Sequence, residues 1–306
     1  MVLIICLMHI EVKKISKIYE NNKYALKGIS LDIDANGVFS IIGKNGAGKT
    51  TLVRILATQL MPTSGYAKIN GYDLLTESKK IRRFIAAVPQ EARTIPWLTP
   101  IQTVLSYLMW RGYSYSEAKE KAKDSLRMLN LEDIENKKTR KLSGGQKRKV
   151  IVATILASDA TLIFLDEPTT GLDYLSRKEL WNLLYTMKKD RLIILTTHYL
   201  EEAENLGDTI CILNKGRVVD MGTILELRKK IKYSYCMKVF SNDFKISNLD
   251  GYIKRVSSNE IQIFTSGKYV YDIANRLISE KIRFTFQEVS LTNIFEFLLE
   301  DDIDVQ

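Results

Sequence analysis

The chain has 306 residues, enough to bury a sizeable core as one large or two modest domains. With 45% hydrophobic and 26% charged residues it has the composition of an ordinary globular protein, and no apolar run reaches the length of a bilayer-spanning helix; the longest, around residues 150–157, falls far short. The formal charge of +9 suits an anionic neighbour, either nucleic acid or the inner face of a membrane, or else a lysine-rich solvated surface, because the basic residues are dispersed.

The opening residues, 1–8, are apolar but lack a basic flank and a small-residue cleavage site, so they do not read as a secretory signal. They are either an extra edge strand or the stretch ahead of a start at Met8. Residues 10–34 alternate apolar and polar in places, as in Ile10-Glu11-Val12-Lys13 and Ile29-Ser30-Leu31-Asp32, which predicts half-exposed strands of an antiparallel edge sheet. Tyr19 sits between them, ahead of a polar loop, as a ring that could stack on a base or simply cover an edge strand. Cys6, Cys211 and Cys236 are odd in number and far apart, the pattern of isolated reduced thiols.

Val38-Phe39-Ser40-Ile41-Ile42 predicts a buried strand running into Gly43-Lys44-Asn45-Gly46-Ala47-Gly48-Lys49-Thr50-Thr51. This stretch fits the phosphate-binding loop pattern G-x-x-x-x-G-K-[ST]. Its glycines let backbone amides approach a phosphate, Lys49 brings a point charge to the terminal phosphates, and Thr50 offers a hydroxyl to Mg²⁺. Leu52, Ile55, Leu56 and Leu60 recur at helical spacing until Pro62, predicting a helix to about residue 60.

Residues 67–71 read as a short strand into a turn and 84–88 as a second buried strand that delivers Gln90. Segments 103–111, 116–130 and 146–157 carry helical periodicity, a block that suggests a helical subdomain over about 91–157. The continuously apolar run 161–165 ends in Asp166-Glu167-Pro168, and 192–197 ends at His198, with a helix over about 175–188 between them. This alternation predicts a parallel sheet whose ligands gather at the carboxyl ends of the strands, where Gln90, Asp166, Glu167 and His198 all fall. Residues 211–214 and 217–221 form a strand–turn–strand with Lys215-Gly216 at the tip. Beyond a boundary near residue 230, strands at 235–240, 252–256, 260–265 and 282–289 and helices at 268–279 and 291–300 make a small α+β appendage. The expected domains are therefore 1–230 and 231–306.

A second anion-binding motif, Leu142-Ser143-Gly144-Gly145-Gln146, precedes the helix that starts near Gln146, where free amides and the positive dipole end meet a ligand. Together with the phosphate loop, in this order, it makes the chain resemble the nucleotide-binding subunit of ATP-binding-cassette (ABC) transporters. The resemblance runs from residue 10 to about 225, through the loop at 43–51, Gln90, the signature at 142–146, Leu162 to Glu167, Thr170-Gly171-Leu172-Asp173 and His198.

That resemblance implies an α/β phosphate-loop NTPase fold: a mixed-sheet core, an antiparallel β edge and a helical subdomain, followed here by the small C-terminal α+β domain. It implies ATP as substrate, with Gly43, Asn45, Gly46, Gly48, Lys49, Thr50 and Thr51 on the triphosphate and Tyr19 on the adenine. Thr50, Gln90 and Asp166 would hold Mg²⁺, Glu167 would be the general base, and His198 would contact the γ-phosphate. Ser143, Gly144, Gly145, Gln146 and Asp173 would complete the site of a second copy or close relative in a head-to-tail dimer. The family also implies a separate transmembrane permease, no direct nucleic-acid partner, and a cytoplasmic position on the inner face of the membrane. Residues 91–115, with Trp97, Tyr107 and Trp110, would face the permease, or those aromatics form subdomain core. The tail Ser290-Leu291-Thr292-Asn293-Ile294-Phe295 resembles the S-L-E-D-V-F ending of exporter-type subunits, with Thr292 and Asn293 in place of the acids. Trp181 and the run Glu201 to Glu204 look like that branch too. The competing readings are a soluble cassette ATPase acting on nucleic acid or ribosomes, which the charge would suit, and a non-transporting regulator of a membrane complex. A single cassette, uninterrupted from Lys49 to Asp166, favours transport.

Overall fold

The computed structural model describes residues 7–241, 251–257 and 259–300; Cys6 and the rest of the opening run before Leu7 lie outside them. The chain divides into two compact units, Met1–Val219 and Asp220–Gln306.

In the first unit β1 (Met8–Tyr19) and β2 (Lys23–Ala35) pair antiparallel, with Ile10, Val12, Leu31 and Ile33 buried in alternation. The register slips between Val12 and Ile15, where Lys14 takes φ 50, as a bulge requires. Next come β3 (Gly37–Ile42), α1 (Lys49–Leu56), β4 (Ser64–Ile69), β5 (Tyr72–Asp73), α2 (Ser78–Ile81) and β6 (Ile85–Val88). Helices α3 (Pro100–Trp110), α4 (Tyr115–Met128) and α5 (Gly144–Leu156) follow as a block. The unit continues with β7 (Leu162–Asp166), α6 (Tyr174–Met187), β8 (Leu192–Thr197), α7 (Leu200–Leu206) and β9 (Thr209–Asn214), and the boundary falls within β10 (Arg217–Gly222).

The antiparallel edge sheet has the order β2-β1-β4-β5, and the central sheet the order β10-β9-β3-β8-β7-β6. Strands β3, β7 and β8 are buried at every residue and pair in parallel, so their near-continuous apolar sequence follows from having both faces covered. The β9–β10 turn is Lys215-Gly216, both at positive φ, as a tight hairpin demands. Val104 and Leu108 of α3, Ala118 and Ala122 of α4 and Val150 of α5 pack into one cluster with Val88 and Leu165. The small alanines let α4 lie close to its neighbours.

One helix is shorter than its periodicity suggests. α1 ends at Leu56 rather than near Leu60, because Thr58 adopts φ 59 and the chain turns back. Thr58 and Gln59 donate their amides to Ile55 and Arg54, a Schellman closure in which threonine takes the place usually filled by glycine. Arg82 donates to both the hydroxyl and the carbonyl of Thr58, which helps hold that conformation.

In the second unit α8 (Ile224–Lys229) precedes β11 (Tyr235–Phe240), β12 (Gly251–Arg255), β13 (Ile261–Thr265), α9 (Gly267–Ser279), β14 (Arg283–Glu288) and α10 (Leu291–Glu300). The strands form an antiparallel sheet in the order β12-β13-β11-β14. Met237, Val239, Ile261 and Ile263 pack on Val270, Ile273 and Leu277 of α9. Phe264 and Tyr252 instead meet Phe297 of α10, with ring centroids 4.9 and 5.7 Å away. Ser290 and Asn293 cap α10 reciprocally, so the amide oxygen of Asn293 does what an acid does in the S-L-E-D pattern. Cys211 and Cys236 are buried and in no disulfide, and burial pushes the Cys236 pKa up to about 11.

Candidate active site

Strand β3 delivers the chain to Gly43, where backbone packing forbids a side chain: a Cβ there would lie 2.3 Å from the Leu213 carbonyl oxygen. At Gly48 a Cβ would lie 2.5 Å from the Ala25 oxygen, and φ is +107. The loop then enters α1, whose first intrahelical bond runs from the Leu52 amide to Gly48 and leaves those of Lys49, Thr50 and Thr51 without partners in the helix. Lys49 is buried. Its Nζ donates to the carbonyls of Gly43 (2.8 Å) and Lys44 (3.3 Å) and stands 3.9 Å from Glu167 Oε1. Burial lowers its pKa, while Glu167 and Asp166 pull the other way. The loop is thus closed on its own lysine, a charge already withdrawn from water.

Strand β7 brings Asp166 and Glu167 to the same rim. Thr50 Oγ1 donates to Asp166 Oδ1 at 3.2 Å, and the Thr196 hydroxyl donates to the same oxygen. Asp166 Oδ2 is buried with no hydrogen-bond partner. A buried carboxylate oxygen left unpaired is costly, so this atom calls for a cation or a cation-bound water. Among the described residues no group of three or more His, Cys, Asp or Glu could hold a metal. The pairing of this carboxylate with the Thr50 hydroxyl suits Mg²⁺, which keeps waters and needs few protein ligands.

Glu167 takes φ 48, strained for a side-chain-bearing residue, and its amide donates to Thr196. Its Oε2 accepts from Gln90 Nε2 (3.1 Å) and Thr170 Oγ1 (3.3 Å) and lies 3.2 Å from His198 Nδ1. Gln90, Glu167 and His198, far apart in sequence, therefore meet at one carboxylate. Tyr19 is exposed on the rim, its hydroxyl 3.4 Å from Thr51 Oγ1 and the Lys17 ammonium 5.5 Å from its ring centroid. Tyr19, Lys49, Gln90, Glu167 and His198, with Tyr24 and the phosphate loop, line a cavity of about 530 Å³, the size of a small-molecule site.

The signature residues stand apart from that cavity. Ser143 N-caps α5: its Oγ accepts the Gln146 amide at 3.2 Å, and Gln146 Oε1 accepts the Ser143 amide at 3.0 Å. Each of the motif's two polar side chains is engaged by the other residue's backbone amide. A Cβ on Gly144 would meet open space, whereas one on Gly145 would touch Leu172 at 3.4 Å. Asp173 N-caps α6, accepting from the amide and hydroxyl of Ser176, which lower its pKa. In the single chain none of these residues lines the Lys49 cavity, although Gly144 borders a second cavity of about 510 Å³ with Gln90 and Glu167.

Arg148, which reads in sequence as one more cation in a basic run, is buried at 8% exposure. Its guanidinium donates to the carbonyls of Pro168 (3.1 Å), Gln90 (3.3 Å), Asp166 (3.0 Å) and Glu167 (2.9 Å). It ties the signature helix to both loops that carry the acidic cluster. No sequence pattern distinguishes it from Lys147 or Lys149. Thr196, a hydroxyl at a strand end, is a second residue that spacing alone does not single out.

The chain matches the family model described as "ABC transporter" over residues 26–170. It is 36% identical over 231 residues to the mouse phospholipid-transporting ATPase ABCA3, covering 74% of this chain and 14% of that protein. It is also 36% identical over 223 residues to the daunorubicin/doxorubicin resistance ATP-binding protein DrrA of Streptomyces peucetius, covering 72% of this chain and 67% of that protein. Among solved structures, the dimeric post-hydrolysis state of the ATP-binding cassette MJ0796 bound to ADP and Pi matches with a TM-score of 0.65 and 30% identity, covering 70% of this chain and 98% of that one.

Proposed function

The chain belongs to the ABC transporter family, as one of its ATP-hydrolysing cassettes, and from that premise we propose that it powers export through a separate transmembrane permease. Two copies, or this chain and a close relative, pair head to tail with ATP between them. The observation that carries this reading is the division of labour on one chain. Lys49, Gln90, Glu167 and His198 line the phosphate-loop cavity, with Asp166 bound to Thr50 beside it, while Ser143 to Gln146 stand outside it. A site so divided needs a second cassette to supply the missing half.

In this reading the amides of the loop from Gly43, through Asn45, Gly46 and Gly48, to Thr51 cradle the triphosphate, and Lys49 turns from its carbonyls to the terminal phosphates. Tyr19 stacks on the adenine. Thr50, Asp166 and Gln90 hold Mg²⁺, which neutralises charge on the phosphates when bound. Glu167 polarises the attacking water and His198 orients toward the γ-phosphate. Ser143, its lone pair occupied by the Gln146 amide, directs its own proton to the partner's nucleotide, and Gly144, Gly145 and Asp173 frame that contact. Closure stores binding energy in the dimer, and loss of the γ-phosphate releases it.

Residues 1–230 act as the ATPase domain, with 91–157 as its helical subdomain, and 231–306 as an accessory domain. Among the described residues no helix is long and apolar enough to cross a membrane, so transport calls for another polypeptide or segment. The exposed Trp97 and Trp110 suit a surface that receives it from the cytoplasmic side. Export is favoured by the resistance and phospholipid-transporting roles in the names of the two relatives. Co-purification with a candidate permease, followed by ATP-dependent export from vesicles, tests the reading; uptake, or ATPase activity indifferent to every candidate permease, would count against it.

A further inference from the structure

Glu202 is a glutamate with 0% exposure on α7, four residues past His198. Its neighbours Glu201 and Asn205 face solvent. A carboxylate is not taken out of water without donors, and this one has three. Trp181 Nε1 donates to Oε1 at 2.9 Å and Thr169 Oγ1 to Oε2 at 3.1 Å, and the Thr197 side chain hydrogen-bonds to it as well.

The three donors come from three different elements. Thr169 lies in the turn after Glu167: its neighbour Thr170 donates to Glu167 Oε2, and its own carbonyl accepts the amide of Leu172, which leads to Asp173. Thr197 ends β8, and its hydroxyl oxygen accepts the Tyr199 amide at 2.9 Å, which pins the residues on either side of His198. The His198 ring lies on Tyr199 with centroids 4.1 Å apart, and the Arg177 guanidinium sits 4.2 Å from the Tyr199 ring on the other element. Trp181 and Arg177 are one helical turn apart on α6, whose N-cap is Asp173.

We infer that Glu202 is a positioning residue whose carboxylate holds the His198 loop and the Glu167–Asp173 turn in fixed relation to each other and to α6. It touches no reacting atom. This inference rests on the proposed roles of Glu167 and His198. Its consequence is kinetic: loosening Glu202 leaves the phosphate loop and Tyr19 untouched, so nucleotide still binds, but the water-polarising carboxylate and the histidine no longer meet at the γ-phosphate. Burial pushes the Glu202 pKa up, while its hydrogen-bond donors and Arg177 pull it down. Glutamine has a single acceptor oxygen and cannot take all three donors, and aspartate is one methylene too short to span them.

The test is steady-state ATPase kinetics on Glu202→Gln, with Thr169→Val as a second variant that removes one donor and leaves the buried carboxylate in place. Leu206→Ala serves as a packing control on the same helix, away from the carboxylate. The expected result is a fall in kcat of about tenfold or more for Glu202→Gln and severalfold for Thr169→Val, with KM for ATP within about twofold of wild type. Leu206→Ala lowers the melting temperature but keeps kcat. Wild-type kcat in Thr169→Val together with Glu202→Gln, or a loss in Leu206→Ala matching that of Glu202→Gln, overturns the inference. Glu167→Gln runs alongside: if it retains wild-type turnover, the site reading beneath has failed instead.

Discussion

Replacing Arg148 by methionine keeps the stem in its apolar surroundings and removes the guanidinium. Four carbonyls, those of Gln90, Asp166, Glu167 and Pro168, then lose their donor. A hydrogen bond to a charged group contributes about 1.5–3 kcal/mol, and bonds from one guanidinium do not add fully. A buried carbonyl left unsatisfied costs about 1–3 kcal/mol, so a loss of a few kcal/mol is expected for the first unit. For a domain of this size each kcal/mol moves the melting temperature by about 2–4 °C, which gives a drop of about 10 °C. The three tryptophans, Trp97, Trp110 and Trp181, all lie in the first unit, so tryptophan fluorescence excited selectively over tyrosine follows that unit alone during urea or thermal unfolding. Arg148→Lys should recover less than half of the loss, because an ammonium is a point donor and cannot span four carbonyls as the planar fork does. ATP turnover should fall in both variants, since Gln90 and Glu167 lose their backbone anchor. A melting shift under about 2 °C in Arg148→Met, with normal turnover, would refute the clamp.

Two further substitutions probe the two halves of the nucleotide site. Gly43→Ala would force a methyl group to within 2.3 Å of the Leu213 carbonyl, so the loop must shift; affinity for a fluorescent ATP analogue should drop by tenfold or more, and an unchanged affinity would mean that the backbone yields freely there. Ser143→Arg places a bulky cation at the N-terminus of α5 without touching the Lys49 cavity. Monomer affinity for ATP should stay within about twofold while dimer-dependent hydrolysis is lost, and unaltered turnover would argue against a site completed in trans.

Much of the fold is legible in the sequence because β3, β7 and β8 are apolar almost throughout, as burial on both faces requires. The phosphate loop is legible for a related reason, since Gly43 and Gly48 answer to backbone contacts with Leu213 and Ala25 that leave no room for a substitute. What stays hidden is whatever depends on which way a polar side chain points. Arg148 lies in the basic run Lys147 to Lys149, and Glu202 in the acidic run Glu201 to Glu204; composition makes each run a solvated face, yet tertiary packing buries one member of each. The signature motif carries a second meaning that its anion-site reading passes over, for Ser143 and Gln146 form the reciprocal cap that starts α5. The end of α1 is misread because Leu60 keeps the helical spacing, while Thr58, a residue that rarely adopts positive φ, has already turned the chain.

The most direct test of the central proposal is the mass of the Glu167→Gln variant in solution with and without ATP, by light scattering on a sizing column. The substitution keeps the side-chain volume, and its amide can still meet Gln90, Thr170 and His198, but it cannot take a proton from water. ATP should convert the monomer to a stable dimer, with nucleotide bound in equal number to chains, and the further change Ser143→Arg should abolish that shift. A Glu167→Gln chain that binds ATP yet remains monomeric at micromolar concentration, or that hydrolyses ATP at the wild-type rate, would contradict it.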